Sequence, residues 1–392
     1  MSEYVENFCR QVYDYKERYG ARYRKISWHM FWFLLRNWSL GTHRFKRCGN
    51  VVNVGFFIPG GIGDVVMAGA YIDKFIKALD CKYKIHLFVQ QNVENMKVLF
   101  DEYKHIVAVY SEKQLANASI DLLIEIKVQF PEITFYRENF IKNKSQFLVN
   151  YVKRIKEFNS RYVNVIDARN VFVQQILLNI LEKNRITGMD AAHLVGLSAT
   201  DSMNIAIPNN SKEILKSYGL KQDKFVTFAY SLDILNESDS SVRLWPKQHL
   251  QNFINEIKIK YPDYKIVQLG IRSLAEFDNV DINLVNKTSF EELITLLASS
   301  KLHIDAECGM VHLRHAINAK QSVVLHGPTS VSTKGYAENI NISSNVCNCP
   351  CCECLIHKNW ERFCIKTDSK IPACMQAISP DLVMEKIKGV LK

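Results

Sequence analysis

The sequence predicts an α/β protein with two domains, each built on a parallel, doubly wound sheet. At 392 residues, the chain is long enough for two cores of ordinary size. Short β-branched strands alternate with helical stretches, and this alternation stops at a polar segment and then begins again. Because parallel strands need crossover helices between them, the repeated alternation predicts two similar α/β domains.

The first domain is predicted to span residues 50–207. A β-branched and aromatic run at 50–58 precedes a glycine-rich turn at 59–63 and a stretch of helical periodicity at 64–79. Shorter strands are predicted at 85–89, 106–110 and 122–126, and the pattern over 135–183 is mostly helical. A strand, a glycine-rich loop and a helix in this order are typical of the start of a doubly wound sheet.

The second domain is predicted to span residues 213–379, after an Asn-rich linker at 208–212 in which nothing could be buried. Its strands are predicted at 225–230, 265–269, 302–305 and 322–325, and its helices at 246–259, 290–299 and 311–317. The C-terminal segment 380–392 contains an amphipathic helix that is a candidate to pack back on the first domain.

The composition indicates a globular protein, with hydrophobic residues at 47% of the chain. No window approaches the roughly 18 consecutive apolar residues of a spanning helix, and the polar N-terminus lacks the apolar region of a signal peptide. We therefore expect the protein in the cytoplasm.

The formal net charge of +10 is compatible with nucleic acid, an anionic membrane or an anionic small molecule as partner. Much of the excess lies in residues 1–49, an extension in which Lys and Arg surround the aromatic residues Trp28, Phe31, Trp32 and Phe33. A basic, aromatic helix is typical of a segment on a membrane surface. An equal alternative is that these aromatic residues dock the helix on its own domain.

Three glycines, Gly60, Gly61 and Gly63, follow the first strand and allow a ligand to approach the backbone closely. The loop is not a Walker loop, because no Lys-Ser/Thr follows it, and Val66 stands where the dinucleotide fingerprint has its third glycine. Asp64 at the helix start either caps the helix or faces a cleft, where it would accept a proton from an attacking hydroxyl.

A polar block with the sequence Asp-Ala-Glu-Cys-Gly-Met-Val-His-Leu lies at a strand end in the second domain. It contains Glu307, Cys308 and Gly309, and His312 lies one turn into the following helix, as a site residue or as a satisfied core residue. Free backbone N–H groups and the helix dipole attract anions at such a position. Arg243, before a Trp-Pro helix start, is a phosphate-binding cation or a solvated charge. The block predicts a site for a phosphate-bearing ligand.

Together these motifs resemble glycosyltransferase family 9, the ADP-heptose:lipopolysaccharide heptosyltransferases. The matching segments are Gly63-Asp64-Val65-Val66-Met67, Arg243-Leu-Trp245-Pro246, Glu307-Cys308-Gly309-Met-Val-His312-Leu313 and Gly327-Pro328-Thr329. A Cys-rich loop, Cys374-Met375 and a final helix also fit the family's C-terminal end. These segments follow one another at suitable spacing across residues 50 to 392, outside the basic extension.

The resemblance implies a GT-B architecture of two Rossmann-like domains facing a cleft, with the acceptor on the first domain and the nucleotide-sugar on the second. It implies inverting, metal-independent transfer of heptose from ADP-heptose, or of a similar sugar, to a cell-surface glycan, without a catalytic cofactor. By the same resemblance, Asp64 would be the general base and Arg243 would face the donor diphosphate. Backbone N–H groups of Cys308 and Gly309 would bind the phosphates, Glu307 and His312 would contact the sugar, and Thr288 would line the nucleotide pocket.

The chain departs from the family at two of these positions. Glu307 replaces the usual Asp, and Cys308 replaces the usual Thr or Ser, so the sugar pocket differs by a methylene and a hydroxyl donor. The identity of the donor is therefore left open by the sequence.

The cysteines are clustered, since seven of the 11 lie between Cys347 and Cys374. A reducing cytoplasm argues against a disulfide framework, and the Cys-x-x-Cys spacings are those of metal knuckles. Related autotransporter heptosyltransferases carry a cysteine-bound iron, and a structural Zn or Fe ion is predicted here on Cys351, Cys354, Cys364 and Cys374. Cys-rich loops without a metal are the alternative for this family.

Three functions remain in competition at the level of sequence. The leading one is a glycosyltransferase acting on a glycan or lipid-linked acceptor, with the basic extension in peripheral contact with the inner membrane. The second keeps the reaction and changes the acceptor to a protein side chain. The third, a metal-knuckle nucleic-acid-binding protein, is disfavoured because residues 347–354 contain Glu353 and no Lys or Arg.

Overall fold

The computed structural model describes residues 29–30, 32–35, 50–90, 92–127, 130–163, 197, 203–230, 242–344, 346, 364 and 370–391. These residues fall into two compact units. The first contains the described residues up to Gly60, those from Tyr71 to residue 163, and residue 197. The second contains Gly61–Ala70 and the described residues from 203 onward. The boundaries of 50–207 and 213–379 for the two domains stay predictions.

The first unit is built on a five-stranded sheet with the order β3-β2-β1-β4-β5. Its strands are β1 (Val52–Ile58), β2 (Tyr83–Val89), β3 (Ile106–Ser111), β4 (Leu122–Lys127) and β5 (Phe130–Tyr136). The first four pair in parallel, as predicted, and β5 runs antiparallel to β4 as an edge strand. β5 is not predicted from the sequence, in which residues 135 and 136 belong to the region of mostly helical pattern. A short antiparallel hairpin depends on pairing with β4, which the period of a single segment does not show.

Helices cover the faces of this sheet, because a parallel sheet has two apolar faces to bury. They are α1 (Ile62–Ala78), α2 (Val93–Leu99), α3 (Glu138–Ile141) and α4 (Gln146–Val163), with a 3₁₀ turn at Glu112–Asn117. Phe75 on α1 makes edge-to-face contacts with Phe56 on β1 and Tyr151 on α4. Helix α1 therefore packs against both the sheet and α4 through one aromatic cluster.

A few residues of the basic extension are described, and residues 29–30 and 32–35 are helical. Met30 and Phe33 are buried in a cluster with Phe57 and Phe88, and the Phe33 ring lies 5.5 Å from that of Phe135. The side chain of Trp32 is 43% exposed. This part of the extension thus docks on its own domain through Phe33, while Trp28 and Phe31 lie outside the described residues. No helix in the described ranges is both long and apolar enough to span a bilayer.

The second unit is built on a six-stranded parallel sheet with the order β11-β10-β9-β6-β7-β8. Its strands are β6 (Phe225–Ala229), β7 (Lys265–Leu269), β8 (Ile282–Asn283), β9 (Leu302–Ala306), β10 (Ser322–His326) and β11 (Ile340–Ser343). The four predicted strands are confirmed, and the short edge strands β8 and β11 were not predicted. The strand order reverses between β6 and β9, so the sheet has a switch point where loops diverge to opposite faces.

The helices of the second unit are α5 (Ser211–Ser217), α6 (Lys247–Lys260), α7 (Phe290–Ser299), α8 (Gly309–Ala316), α9 (Val331–Lys334), α10 (Ala373–Gln376) and α11 (Pro380–Ile387). The linker predicted at 208–212 is mostly exposed, although Ser211 already begins α5. Pro246 is the N-cap residue of α6, consistent with its fixed backbone angle.

The C-terminal helix α11 contributes to the core of the second unit. Its buried residues Val383, Met384 and Ile387 lie in one cluster with Phe253 and Ile257 of α6. From the sequence, this helix is a candidate to pack back on the first domain. Its apolar face is instead buried against α6, because burial of that stripe is what holds an amphipathic helix in place.

Candidate active site

The site lies at the switch point of the second sheet, where β9 ends and α8 begins. Only Glu307 and Cys308 separate the last residue of β9, Ala306, from the first residue of α8, Gly309. Cys308 is the N-cap residue of α8, has extended backbone angles and makes no side-chain cap hydrogen bond. The first backbone N–H groups of a helix have no partner within the helix, so this turn presents donors to an anion.

Glu307 is a buried carboxylate with partners on both oxygens. Its side chain is 7% exposed, His312 Nε2 lies 3.0 Å from Oε1, and Arg243 Nη1 lies 3.8 Å from Oε2. Burial alone would raise the pKa of Glu307, but the His312 hydrogen bond and the charges of Lys334 and Arg243 outweigh it and lower the pKa below the ordinary value. The group therefore stays ionised and acts only as a hydrogen-bond acceptor.

His312 bridges Glu307 to a tyrosine from a later part of the chain. It is 1% exposed, and its Nδ1 lies 2.8 Å from the hydroxyl of Tyr336. The Tyr336 ring is also stacked at 3.5 Å on His315, which is hydrogen-bonded to Glu338. Burial raises the pKa of Tyr336, so this hydroxyl keeps its proton.

The thiol of Cys308 is engaged by a neighbour on β9. Its Sγ donates to Asp305 Oδ2 at 3.1 Å. Burial and the Asp305 carboxylate raise the pKa of Cys308, so the thiol stays protonated. Because the side chain of Cys308 is directed to Asp305, only its backbone N–H at the helix start is available to bind an anion.

The glycine loop after β1 is held by a backbone-to-carboxylate hydrogen bond. Gly61 N donates to Asp64 Oδ2 at 2.9 Å, which is one half of a capping box at the start of α1. Gly60 has φ at 127°, a region that L side chains rarely adopt. The structure thus supports the capping interpretation of Asp64, and its role as a base stays a prediction.

Glycines allow the first turn of α1 to approach the first turn of α8 inside the second unit. A Cβ on Gly63 would lie 2.8 Å from His312 Cδ2 and 3.2 Å from Gly309 Cα. A Cβ on Gly309 would lie 3.2 Å from Gly63 N. Side chains at either position would separate the two turns, so this close approach explains both glycines.

The structure thus brings together most of the residues predicted for the donor side: Arg243, Glu307, Cys308, Gly309 and His312, with Gly63 against them. Thr288 directly precedes Ser289, the N-cap residue of α7, and no hydrogen bond or ion pair of the described residues joins it to this cluster. Its place in a nucleotide pocket stays a prediction.

The proposed metal ligands are only partly described. Cys351 and Cys354 lie outside the described residues, while Cys364 and Cys374 are buried. Across the described part of the chain, no group of three or more His, Cys, Asp or Glu residues is arranged to hold a metal. The metal site on these four cysteines stays a prediction.

Two residues of the site were missed by sequence reasoning. Lys334 is 6% exposed and its charge lowers the pKa of Glu307, and Tyr336 binds His312. The available signal was weak: a Lys-Gly-Tyr sequence follows the Gly327-Pro-Thr loop within a few residues. This sequence follows β10, and only the place of β10 in the sheet shows that it lies near Glu307 and His312.

Comparison with known proteins gives consistent matches. Residues 264–361 match the model of glycosyltransferase family 9 (heptosyltransferase). Lipopolysaccharide heptosyltransferase 1 of Campylobacter coli is 23% identical over 317 residues, which are 71% of this chain and 85% of that protein.

Two solved structures share the fold at low sequence identity. ADP-heptose LPS heptosyltransferase II of E. coli has a TM-score of 0.52 and 13% identity, covering 87% of this chain and 98% of that one. Dodecameric iron-containing heptosyltransferase TibC, solved in complex with ADP-D-β-D-heptose, has a TM-score of 0.56 and 12% identity. The match covers 86% of this chain and 76% of the TibC chain. TibC comes from enterotoxigenic E. coli.

Two Rossmann-like α/β units, with the start of α8 at the switch point of the second sheet, place the chain in the GT-B class. The resemblance to glycosyltransferase family 9 is confirmed, and the protein is a glycosyltransferase.

Proposed function

We propose that the protein is an inverting, metal-independent heptosyltransferase that uses ADP-heptose and adds heptose to a hydroxyl of a lipopolysaccharide-type glycan. The observation that carries this proposal is the β9–α8 turn, where helix N–H groups and Arg243 converge beside the buried Glu307 carboxylate. The Campylobacter coli relative, a lipopolysaccharide heptosyltransferase, supports the choice of sugar and acceptor.

On the donor side, the diphosphate would bind at the start of α8. The backbone N–H groups of Cys308 and Gly309 would donate to its oxygens, and Arg243 would add a cation. These groups would stabilise the negative charge that develops as the diphosphate leaves. Glu307 would accept hydrogen bonds from hydroxyls of the sugar.

On the acceptor side, Asp64 would act as the general base. Its Oδ2 already accepts a bond from Gly61 N, which fixes the carboxylate at the start of α1. It would take the proton from the acceptor hydroxyl as that oxygen attacks the anomeric carbon. Attack from the face opposite the leaving diphosphate inverts the configuration at that carbon.

The first test is a thermal-shift panel of ADP-, GDP-, UDP- and CMP-sugars with the purified protein. A ligand that favours the folded state raises the Tm, and we expect selective stabilisation by ADP-heptose. Transfer is then measured with a lipopolysaccharide core acceptor that lacks heptose. Selective stabilisation by another nucleotide-sugar would contradict the proposed donor and leave the fold class intact.

A second candidate keeps the donor and changes the acceptor to a protein side chain. It is favoured by the cysteine cluster together with the similarity in fold to iron-containing TibC. Incubation with candidate surface proteins, followed by intact-mass measurement, separates the two acceptors. Only the second candidate predicts a protein that gains the mass of a sugar.

We also propose that the protein works at the cytoplasmic face of the inner membrane, held there by the basic extension 1–49. The charge of this segment supports binding to anionic lipid. Co-sedimentation with vesicles tests the idea: binding should require anionic lipid and weaken at high salt. Equal binding to neutral vesicles, or none to either, would contradict it.

A further inference from the structure

Tyr336 closes a hydrogen-bonded chain that ends on the Glu307 carboxylate. Its hydroxyl lies 2.8 Å from His312 Nδ1, and His312 Nε2 lies 3.0 Å from Glu307 Oε1. All three side chains are buried. We propose that Tyr336 is a positioning residue, which donates to His312 Nδ1 and through His312 holds Glu307 for the donor sugar. The effect on the sugar rests on the proposed function, whereas the effect on His312 does not.

The direction of these hydrogen bonds is argued from the ionised carboxylate of Glu307. An ionised carboxylate has no proton to donate, so His312 Nε2 must carry the proton in its bond to Glu307. A Tyr336 hydroxyl that donates to Nδ1 requires a neutral imidazole, in which Nδ1 is the acceptor. Both ring nitrogens of His312 are then occupied.

The tyrosine is itself held in place by its surroundings. Gly335 precedes it at the end of α9, where a Cβ would lie 2.6 Å from Val331 O, so the chain can turn here only with glycine. The His315 ring stacks on one face of the Tyr336 ring at 3.5 Å, and the His312 ring meets it edge-on. The hydroxyl is thus directed at His312.

The hydrogen bonds from Tyr336 through His312 to Glu307 also determine which oxygen of Glu307 can accept a hydrogen bond from a ligand. Oε1 accepts from His312, while Oε2 lies on the side of Arg243, 3.8 Å from its Nη1. A sugar hydroxyl would therefore meet Oε2, next to the cation predicted for the diphosphate. Without the tyrosine donor, Nδ1 would gain a proton or lack a partner, and the His312–Glu307 geometry would relax.

The decisive experiment is ¹⁵N NMR of the full-length protein with labelled histidine, in which the His312 signals are identified by their loss in His312→Gln. We expect one neutral tautomer, with the proton on Nε2 and an accepting Nδ1. In Tyr336→Phe we expect an imidazolium, because Glu307 still accepts from Nε2 while Nδ1 has lost its donor. A proton on Nδ1 in the wild-type protein, or a His312 that stays neutral in Tyr336→Phe, would overturn the proposal. The wild-type spectrum by itself shows whether Nδ1 carries a proton. The proposal can therefore be tested even if Tyr336→Phe folds poorly.

Kinetics then test whether the tyrosine acts through the histidine. With ADP-heptose as donor and rates normalised to the sites that bind ADP, Tyr336→Phe should lower kcat about tenfold, the scale of one hydrogen bond. In the His312→Gln background, the same change should lower kcat less than about twofold, because coupled residues are not additive. An equal loss in both backgrounds would mean a merely structural tyrosine and would overturn the proposal.

Tyr151→Phe is the matched control, because Tyr151 is a buried tyrosine of the first unit whose hydroxyl is bonded to that of Tyr71. It should lower the Tm and leave the tautomer of His312 unchanged. If no donor is turned over by the wild-type protein, the proposed function fails while the tautomer measurement still decides the role of Tyr336. A tautomer change in Tyr151→Phe would overturn the assignment to Tyr336.

Discussion

At the residue scale, Glu307 is the side chain that organises the site. It is one methylene longer than the aspartate usual in the family, and it is buried between His312 and Arg243. A buried carboxylate is stable only where hydrogen bonds and opposite charges compensate for lost hydration. The departure from the family is thus accommodated by specific partners, which include Lys334.

Substitution of Asp64 by Asn tests the general base. The amide keeps the size of the side chain and an oxygen for the bond from Gly61 N, but it does not take up the acceptor proton. We expect transfer to fall by about 10²–10⁴-fold. Affinity for ADP, measured by calorimetry, should change little, because the phosphates are expected at α8. Undiminished turnover would remove Asp64 from the mechanism.

Substitution of Glu307 by Gln tests the charge and predicts a specific pH dependence. The pKa of Glu307 is lowered in the folded protein, so its ionised form contributes stability that is complete above the ordinary value of 4.5. That contribution is lost as the pH falls below 4.5 towards the lowered value. The variant, which leaves its cationic partners without a carboxylate, should be less stable by about 1–3 kcal/mol at pH 7.

Melting curves of both proteins between about pH 3 and 7 provide the measurement. The gap in Tm between wild type and Glu307→Gln should narrow as the pH falls, because only the wild type loses this contribution. Other carboxylates with lowered pKa values, such as Glu338, titrate in both proteins and cancel in the comparison. A gap that is constant or widens in acid would contradict the assigned ionisation.

At the element scale, the site depends on the approach of two helix starts. The first turn of α1 carries Asp64, the first turn of α8 carries the N–H groups proposed to bind the phosphates, and glycines line the contact between the two turns. This arrangement places the predicted base and the predicted phosphate site near each other through backbone geometry.

Replacing Gly63 by Ala should disturb that contact. The new Cβ would lie 2.8 Å from Cδ2 of the buried His312 and 3.2 Å from Gly309 Cα, so the side chain or the backbone must shift to make room for it. We expect a loss of about 1–3 kcal/mol of stability, measured by chemical denaturation, and weaker transfer.

Gly389 provides the matched control, since a Cβ there would have no heavy atom within 4 Å. Gly389→Ala should leave transfer unchanged and stability within about 1 kcal/mol of the wild type. A neutral Gly63→Ala variant would show that the two turns have room to separate.

At the scale of the whole molecule, the two units have similar architectures. Each has a mainly parallel sheet with a reversal of strand order, between β1 and β4 in the first and between β6 and β9 in the second. Each of the two loops singled out from the sequence follows a strand at such a reversal, β1 or β9. The basic extension and the Cys-rich loop are additions to this common plan.

The Cys-rich loop predicts one structural Zn or Fe ion per chain, measured by elemental analysis of the purified protein. Its removal by a chelator should lower the Tm, because an ion bound only to the folded state stabilises it. ADP binding should persist, because the predicted ion stabilises the Cys-rich loop and does not bind the nucleotide. Cys364→Ser should lose the ion, and Cys81→Ser, at a half-buried cysteine outside the loop, should retain it. A metal-free protein of unchanged Tm would exclude the site.

Much of this site was accessible from the sequence because its signals are local. Gly60-Gly61 with Gly63-Asp64 follows a buried strand, and Glu307-Cys308-Gly309 lies between a strand and a helix, so short-range periodicity located both loops. Tyr336 was not accessible in this way, since it reaches His312 across 24 positions of the chain. The same reason applies to β5, β8 and β11, whose pairing is set by neighbouring strands.

The sequence by itself determined the α/β class, the two loops at strand ends and the family resemblance, because strand and helix periods and turn residues are properties of adjacent positions. Only the tertiary structure decided that Lys334 and Tyr336 join the Glu307–His312 pair and that α11 packs on α6. Such contacts follow from strand order and from burial of distant apolar faces, and no local pattern encodes them.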